Sequence, residues 1–259
     1  MGKILTVPNI ILTPPGARNL SARGAGTPFS MDRIEKIQRM FGTDLIGLYV
    51  GNEPPGSTAA VDHSPFGFHG TYTSVNLGQQ GIDERTCPLY DGSTSFLQPP
   101  MGFRSAFNPM EFTLHCGVRV FNAGVWTDAA TRRFVSFRAD ASNWATLAKG
   151  TGAGNIGANY IAGGTNKSFT FTTTSPLWFF DTTLTVSKSG DAARFYFNGV
   201  QQGAAQNGLG VWVGSLLATD TLIGAQTTAP SVVMNGYLAF IIALSRAATP
   251  AEVAQVSEG

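Results

Sequence analysis

Residues Ala193-Arg-Phe-Tyr-Phe-Asn198-Gly199-Val-Gln-Gln202 carry the clearest local structural signal in the chain. Aromatic residues that favour strands precede Asn198-Gly199, a dipeptide that readily adopts the two positive φ angles of a type I′ turn. Such a turn matches the twist of two antiparallel strands and fixes their register. This stretch therefore predicts a β-hairpin.

The pattern extends over most of the chain around this hairpin. From Leu45 onward, apolar residues recur with a period of 2, and turn residues return roughly every ten positions, which is typical of an antiparallel sandwich. The glycine-rich run 150–157 matches no phosphate-binding motif and is predicted to be a loop. The predicted strands are Leu45–Val50, Leu89–Leu97, Phe112–Phe121, Arg133–Arg138, Trp144–Ala148, Ser168–Thr173, Thr183–Lys188, Arg194–Phe197, Val200–Gly203, Thr221–Gly224 and Gly236–Leu244.

Length and composition agree with one large all-β domain. The 259 residues contain 31 glycines and 18 phenylalanines, but only 13 % are charged, which favours turns and aromatic-filled strands over long surface helices. The 17 basic and 16 acidic residues are scattered, so no basic stripe exists to follow a phosphate backbone, and we expect no nucleic-acid partner. No apolar run approaches the roughly 20 residues that a helix needs to cross a bilayer, so we expect no membrane-spanning segment.

The first 43 residues differ from the rest. Residues 1–29 are rich in proline and glycine without periodicity, which predicts an extended arm, yet their apolar residues suit docking on a neighbouring subunit better than a free tail. Ser30 is a candidate N-cap for a short amphipathic helix that Gly42 ends. We therefore interpret residues 1–43 as an assembly element that contacts other proteins or further copies of the chain, and 44–259 as the sandwich.

The end of the chain and the two cysteines give further expectations. Thr249-Pro250-Ala251-Glu252 has the pattern of a capping box, which predicts a two-turn helix whose valines cover an open end of the sandwich. Cys87 and Cys116 are expected to be buried thiols, although spacing alone cannot exclude that they pair.

The order of several short motifs resembles laminin-G-like and concanavalin-A-like jelly-roll domains, which occur in secreted and phage-encoded proteins. The resemblance covers about residues 45 to 258 and implies a two-sheet antiparallel jelly-roll sandwich. Together with the arm and the two short helices, this gives an all-β fold class. The matching motifs are Leu45–Glu53, Gly56–Asp62, His69–Tyr72, Tyr90–Ser93, Phe112–Leu114, Phe195–Gly199, Leu222–Gly224 and Ala243–Ala247 followed by Thr249–Val253.

Relatives of this fold often hold calcium, and three carboxylates stand at similar positions: Glu53, Asp62 and Asp91. Hard oxygen ligands from loops suit that ion. The alternative is that aspartates in glycine-rich loops accept backbone hydrogen bonds. Ala239 and Phe240 stand where the family usually has an acidic pair, which weakens the calcium prediction. We expect no required cofactor, with calcium as the one candidate metal.

Glycan binding needs an exposed aromatic ring with polar groups beside it. Four aromatic residues adjoin loop-like runs of glycine, asparagine and threonine: Trp126, Trp144, Tyr160 and Trp212. These are the candidate sugar-binding residues. The alternative for each is packing in the core or at its rim, which is where large aromatic side chains of sandwiches usually lie.

The sequence argues against catalysis. It lacks a pair of alternating carboxylates for glycoside hydrolysis, a His-Glu-x-x-His zinc helix and a Gly-x-Ser-x-Gly elbow. We expect a non-catalytic structural or interaction protein. The resemblance and the arm favour a phage virion component (capsid decoration, tail or fibre), made in the host cytoplasm and touching host-surface glycans. The alternative is a free, extracellular carbohydrate-binding module.

Overall fold

The computed structural model describes residues 31–80, 86–173 and 178–258. Their strands form two antiparallel sheets of eight strands each, sheet A and sheet B. Sheet A contains β1 (Leu45–Tyr49), β4 (Asn76–Gln80), β5 (Thr86–Asp91), β7 (Glu111–Val120), β12 (Phe180–Ser187), β13 (Ala192–Phe197), β14 (Val200–Gln201) and β16 (Asn235–Leu244). Sheet B contains β2 (Ala59–Ala60), β3 (Gly70–Thr73), β6 (Phe96–Gln98), β8 (Arg132–Asp140), β9 (Asn143–Lys149), β10 (Asn155–Ala162), β11 (Thr165–Thr172) and β15 (Leu222–Ile223).

The strand order confirms the predicted two-sheet, jelly-roll-like sandwich. In sheet A the order is β14-β13-β12-β7-β16-β5-β4, with β1 also paired to β16; in sheet B it is β11-β10-β9-β8-β15-β6-β3-β2. The predicted hairpin joins β13 to β14, where Phe197 faces Val200 and the turn residues Asn198 and Gly199 have φ angles of 48° and 76°. The positive φ angles explain the Asn-Gly sequence.

Four helices accompany the sheets in the described part of the chain: α1 (Met31–Phe41), α2 (Met101–Ala106), α3 (Ala123–Thr127) and α4 (Pro250–Glu258). The predicted α1 is confirmed and ends at Gly42, whose φ is +51°; its proposed N-cap, Ser30, lies outside the described residues. The short helices α2 and α3 were not predicted. None of these helices has the length and apolar character that crossing a membrane requires.

Aromatic side chains fill the space between the sheets. Phe137 of sheet B contacts Phe103 and Phe107, with ring centroids 5.5 and 5.2 Å apart. Phe107 in turn lies 5.0 Å from Phe112 of sheet A. All four side chains are buried. Burying rings of this size supplies much of the hydrophobic stabilisation of a sandwich, so this cluster joins α2 and both sheets.

Helices α1 and α4 cover the outer face of sheet A. Ile34, Ile37 and Phe41 of α1 and Val253 and Val256 of α4 are buried in one apolar cluster with the sheet. The prediction that α4 covers an open end is therefore wrong, because its valines pack on a sheet face. The sheet residues of this cluster are Leu45, Leu48, Tyr196, Phe240, Ile242 and Leu244.

The predicted capping box of α4 is confirmed. The Thr249 backbone N–H donates to Glu252 Oε2 at 2.8 Å, and the Glu252 N–H donates to Thr249 Oγ1 at 3.3 Å. Arg246 binds Glu252 through two nitrogens, at 2.9 and 2.7 Å, and donates from Nε to Asp44 at 2.7 Å. The bond from Arg246 lowers the pKa of Glu252 to about 2. This network joins the end of the chain to the start of the sandwich.

Buried polar groups lie beneath the two helices. His115 Nδ1 is 2.7 Å from Thr183 Oγ1, and its ring stacks on Phe240 at 5.2 Å. Burial, with a smaller effect of the Arg33 charge, lowers the pKa of His115 to about 3. Cys87 and Cys116 are both buried thiols, as predicted, and no disulfide joins them. Burial raises the pKa of Cys116 to about 12, so this thiol stays protonated near neutral pH.

Two boundary predictions need correction. The run 150–157 is only partly a loop, because β10 begins at Asn155 inside it. The single strand predicted over Leu89–Leu97 is two strands, β5 and β6, that belong to different sheets. The chain crosses between the sheets at Gly92, whose φ is +77°. Residues 91–95 at this crossing are Asp-Gly-Ser-Thr-Ser, a polar turn sequence that separates the two strands.

Candidate functional site

Sheet B has an outer face, which points away from the core. In β10, Ile156, Ala158, Tyr160 and Ala162 belong to the core cluster, so the alternate residues point outward. The same alternation in β9 directs Ala145 and Leu147 inward. We call the outward surface the Trp144 face and define it by Arg133, Arg138, Trp144, Thr146, Ala148, Gly157, Asn159 and Ile161.

Strand register arranges this face in rows. One row places Arg138, Trp144 and Ile161 opposite one another on β8, β9 and β10. The next contains Ser136, Thr146, Asn159 and, on β11, Ser168. The side-chain amide of Asn159 is half-buried and makes no hydrogen bond to the described residues. Ser136 and Thr146 are buried, and Thr146 Oγ1 donates to the Val135 backbone oxygen at 2.7 Å. The polar side chains of this row that reach the surface are therefore Asn159, diagonal to the indole ring, and Ser168.

Two small residues lie next to these rows. Ala148 faces Arg133 on one side and Gly157 on the other. A Cβ at Gly157 would come within 2.2 Å of the Phe169 backbone oxygen, so only glycine fits there. Because neither Ala148 nor Gly157 carries a side chain longer than one carbon, this row stands lower than its neighbours. Ala148 is 6 % exposed, so the longer side chains around it cover most of this row.

Trp144 and Arg133 are in contact on this face. The Trp144 side chain is half-buried, and the Arg133 guanidinium carbon lies 5.4 Å from the centre of its ring. Arg133 also donates to Thr146 Oγ1 at 3.3 Å, while its buried Nε has no hydrogen-bond partner among the described residues. Burial lowers the pKa of Arg133, because a low-dielectric environment disfavours the charged form. The arginine remains a cation at neutral pH.

A buried amide organises the rim of the face. Asn143 Oδ1 accepts hydrogen bonds from the backbone N–H groups of Gly163 and Val213, each at 3.0 Å. Its Nδ2 donates to the Asp140 carboxylate at 3.0 Å. These bonds hold the β8–β9 turn, the β10–β11 turn and a later loop together. The exposed side chains of Val211 and Val213 consequently lie close to the start of β9.

Three of the four predicted sugar-binding aromatics are packing residues instead. Trp126, Tyr160 and Trp212 are 2 %, 0 % and 6 % exposed. Trp126 contacts Phe180 at 6.0 Å, and the rings of Tyr160 and Trp212 stack at 6.1 Å. A ring that is covered by other side chains cannot offer its face to a sugar, so these three predictions are corrected. Trp144 is the candidate that the structure places on an accessible surface.

The three carboxylates predicted to bind calcium accept hydrogen bonds that hold their own loops in place. Glu53 accepts from the Val61 N–H at 2.7 Å and from the Tyr72 hydroxyl at 3.1 Å. Asp62 Oδ1 accepts from the Leu48 and Ser64 N–H groups at 2.7 and 2.8 Å. These donors occupy oxygen lone pairs that calcium would need.

Asp91 is engaged in the same way. Its Oδ1 accepts from the Ser93 and Thr94 N–H groups, both at 2.8 Å. Partial burial acts to raise the pKa of Asp91, but hydrogen bonds from Thr94, Ser93 and Ser95 outweigh it and hold the pKa below its ordinary value. Within residues 31–80, 86–173 and 178–258, no group of three His, Cys, Asp or Glu residues is arranged to hold a metal. The calcium prediction is therefore not supported by these residues.

Arg133 and Asn159 were not among the predicted site residues. Asn159 was missed because β10 was partly assigned to a loop, although the alternation of Ile156, Ala158 and Tyr160 in the sequence would have revealed the strand. Arg133 was missed because its importance depends on neighbours that come together only in the sheet. No local motif marks it.

These features place the chain among the two-sheet antiparallel β-sandwich domains. No family model and no curated protein sequence matches it. Domain 4 of AbnA, a GH43 extracellular arabinanase from Geobacillus stearothermophilus solved with arabinotriose, is similar, with a TM-score of 0.61 and 14 % identity. The similarity covers 83 % of this chain and 98 % of that domain.

Two larger proteins contain similar folds. The receptor-binding domain of botulinum neurotoxin type G has a TM-score of 0.57 and 14 % identity. Trypanosoma rangeli sialidase in complex with sialic acid has a TM-score of 0.59 and 10 % identity. Each similarity covers 83 % of this chain, but only 51 % of the neurotoxin domain and 33 % of the sialidase. At these identities the comparisons establish the fold alone.

Proposed function

We propose that this chain is a non-catalytic carbohydrate-binding β-sandwich whose ligand lies on the Trp144 face. The observation that carries the proposal is the half-buried Trp144 ring beside the Asn159 amide, with the exposed Ser168 hydroxyl next to Asn159 on the neighbouring strand. An aromatic ring packs against the apolar face of a sugar, while hydroxyl and amide groups bind its hydroxyls. Both requirements are met on neighbouring strands.

The comparisons give this proposal further support. The arabinanase domain, of which almost the whole length is matched, was solved with arabinotriose, and the sialidase with sialic acid. These ligands belong to those proteins. They favour a saccharide over other ligand classes for a sandwich of this kind, and Trp144 gives a position at which the hypothesis can be tested.

The distribution of carboxylates favours binding without catalysis. Strands β8, β9, β10 and β11 carry one carboxylate, Asp140, which lies at the end of β8. Asp140 accepts hydrogen bonds from the Ser142 N–H and from Asn143. Glycosidases usually need two carboxyl groups on opposite sides of the scissile bond. The strands of the Trp144 face do not supply such a pair.

Replacing Trp144 with alanine should abolish most saccharide binding. We expect the affinity for the best ligand on a glycan array, then measured by calorimetry, to fall about tenfold or more, as for other aromatic residues at the centre of a binding site. Phe121→Ala is the matched control, because it removes a half-exposed ring at the end of β7 in the other sheet. Unchanged binding by Trp144→Ala would contradict the proposed site.

We further propose that the module is displayed on a phage virion, with residues 1–43 as its attachment element. The arrangement of the described residues suits display. Helix α1, the described part of that element, packs on the outer face of sheet A, whereas the Trp144 face lies on the outer side of sheet B. Attachment on one side therefore leaves the ligand face open. A free extracellular module is the alternative.

Removing residues 1–30 tests this attachment. The shortened chain should begin at Met31 rather than at Asp44, because deleting α1 would expose the apolar side chains beneath Ile34, Ile37 and Phe41. We expect light scattering to find an assembly for the full chain and a monomer for the shortened chain, with saccharide binding retained. If both chains are monomers and neither attaches to virions, the free module is the better proposal.

A further inference from the structure

The Trp144 face carries a cation that no carboxylate of the described residues balances. Arg133 forms no ion pair within residues 31–80, 86–173 and 178–258, and the one hydrogen bond of its side chain to them goes to the neutral hydroxyl of Thr146. A partly buried charge without a counter-ion is unfavourable for the folded state. The placement of Arg133 on this face is therefore better explained by a role in ligand binding than by a contribution to the stability of the fold.

Three other partly buried or buried cations of the sandwich are compensated by carboxylates. Arg132 and Lys149 both bind the Asp128 carboxylate, at 2.9 and 3.0 Å. Arg246 binds two carboxylates. In each of these cases, a cation that is partly shielded from water has a carboxylate within ion-pair distance. Arg133 departs from this pattern although it directly follows Arg132 in the chain, and so does Arg119, which lies over the Phe179 and Tyr237 rings on the other side of the sandwich.

The other cation of the Trp144 face, Arg138, does have a carboxylate close to it. Arg138 lies 3.7 Å from Asp220 and donates from Nε to the Asp140 backbone oxygen. Asp220 thus offsets the charge of Arg138. Within β8 to β11, the outward-pointing charged side chains are these two arginines, apart from Asp140 at the strand end. The uncompensated charge of the Trp144 face is consequently positive and lies at Arg133.

We propose that the ligand of this face is an acidic saccharide, with a carboxylate bound by Arg133 and a sugar ring packed against Trp144. This inference rests on the proposed function and adds the charge class of the ligand. A guanidinium presents parallel N–H donors that match the two oxygens of a carboxylate, and the hydrogen bond to Thr146 uses Nη1 of Arg133 alone. Arg133 and Trp144 are in contact, so one ligand can reach both groups.

The experiment compares matched pairs of oligosaccharides by calorimetry. Each uronic-acid oligosaccharide, such as α-1,4-linked trigalacturonic acid, is paired with its carboxyl-reduced neutral counterpart, here α-1,4-linked galactotriose. We expect the full chain to bind the acidic member at least about tenfold more tightly, the range of a charge-assisted hydrogen-bonded pair. We expect Arg133→Gln to reduce that preference to about twofold or less.

Control variants separate charge at the site from net charge. Arg194→Gln removes the same charge from β13 of the other sheet and should keep the full preference for the acidic member. Arg133→Lys keeps the charge but loses the planar pair of donors, so its preference should fall between the wild type and Arg133→Gln. Because Arg133 lacks a counter-ion, the glutamine variant should unfold at a temperature no lower than the wild type.

The outcomes distinguish this inference from the proposed function. Equal binding of acidic and neutral members, abolished by Trp144→Ala, overturns the acidic preference and leaves the carbohydrate-binding site standing. A preference for acidic members that survives Arg133→Gln also overturns the assignment of Arg133. If no member of either kind binds, the carbohydrate-binding proposal itself is contradicted.

Discussion

Replacing Trp126 with alanine should lower the free energy of unfolding by about 3–5 kcal/mol, the usual cost of truncating a fully buried large aromatic side chain. Trp126 is 2 % exposed and packs edge-on against Phe180 of sheet A. Its indole nitrogen also lies 3.6 Å from the position of a Cβ at Gly154, so the ring closes the space beneath the turn before β10. Urea unfolding followed by circular dichroism gives the measurement.

The comparison with Trp144 makes this prediction specific. Trp144→Ala removes a half-buried ring from a sheet surface and should cost less than about 1 kcal/mol. Trp126→Phe keeps most of the buried ring and should recover much of the stability lost by Trp126→Ala. At temperatures where Trp126→Ala is still folded, it should bind saccharide as the wild type does. A folded Trp126→Ala variant that has lost saccharide binding would instead support the original sequence prediction for this residue.

The two tryptophans illustrate what the sequence could and could not predict. The sheet content followed from alternation of apolar residues and from the Asn198-Gly199 turn, because these patterns reflect local geometry. Whether an aromatic residue beside a loop is a ligand residue or a packing residue depends on which other rings meet it. Trp212 lies between the exposed Val211 and Val213, yet it stacks on the buried Tyr160.

The charges of the site were unpredictable for the same reason. Arg132 and Arg133 are adjacent and chemically identical, and the sequence offers Asp128 to either of them. Strand alternation sends them to different faces, so Arg132 reaches Asp128 whereas Arg133 reaches Thr146 and Trp144. The absence of a carboxylate near Arg133 is a property of the assembled sheet.

Acid should destabilise the folded chain through His115. Its pKa in the folded protein is about 3, below the ordinary value of 6.5, because burial disfavours the charged ring and Arg33 of α1 adds repulsion. The unfolded chain therefore binds this proton more readily than the folded chain between these two pH values. The stability that His115 contributes is complete above pH 6.5 and is lost as the pH falls toward 3, with a slope of up to about 1.4 kcal/mol per pH unit.

The substitution His115→Gln removes the titrating group while keeping a side chain that can hydrogen-bond to Thr183. Urea unfolding at several pH values between 7.5 and 4 should give a shallower loss of stability for this variant than for the wild type. His63→Gln is the matched control, since burial also lowers the pKa of His63 but Glu53 and Asp62 oppose the effect, so most of the acid slope should remain. Parallel curves for wild type and His115→Gln would mean that His115 can be protonated without displacing the helices that cover it. A flattened curve would instead locate the acid sensitivity in the layer between sheet A and helices α1 and α4, the side of the sandwich from which the proposed attachment element extends.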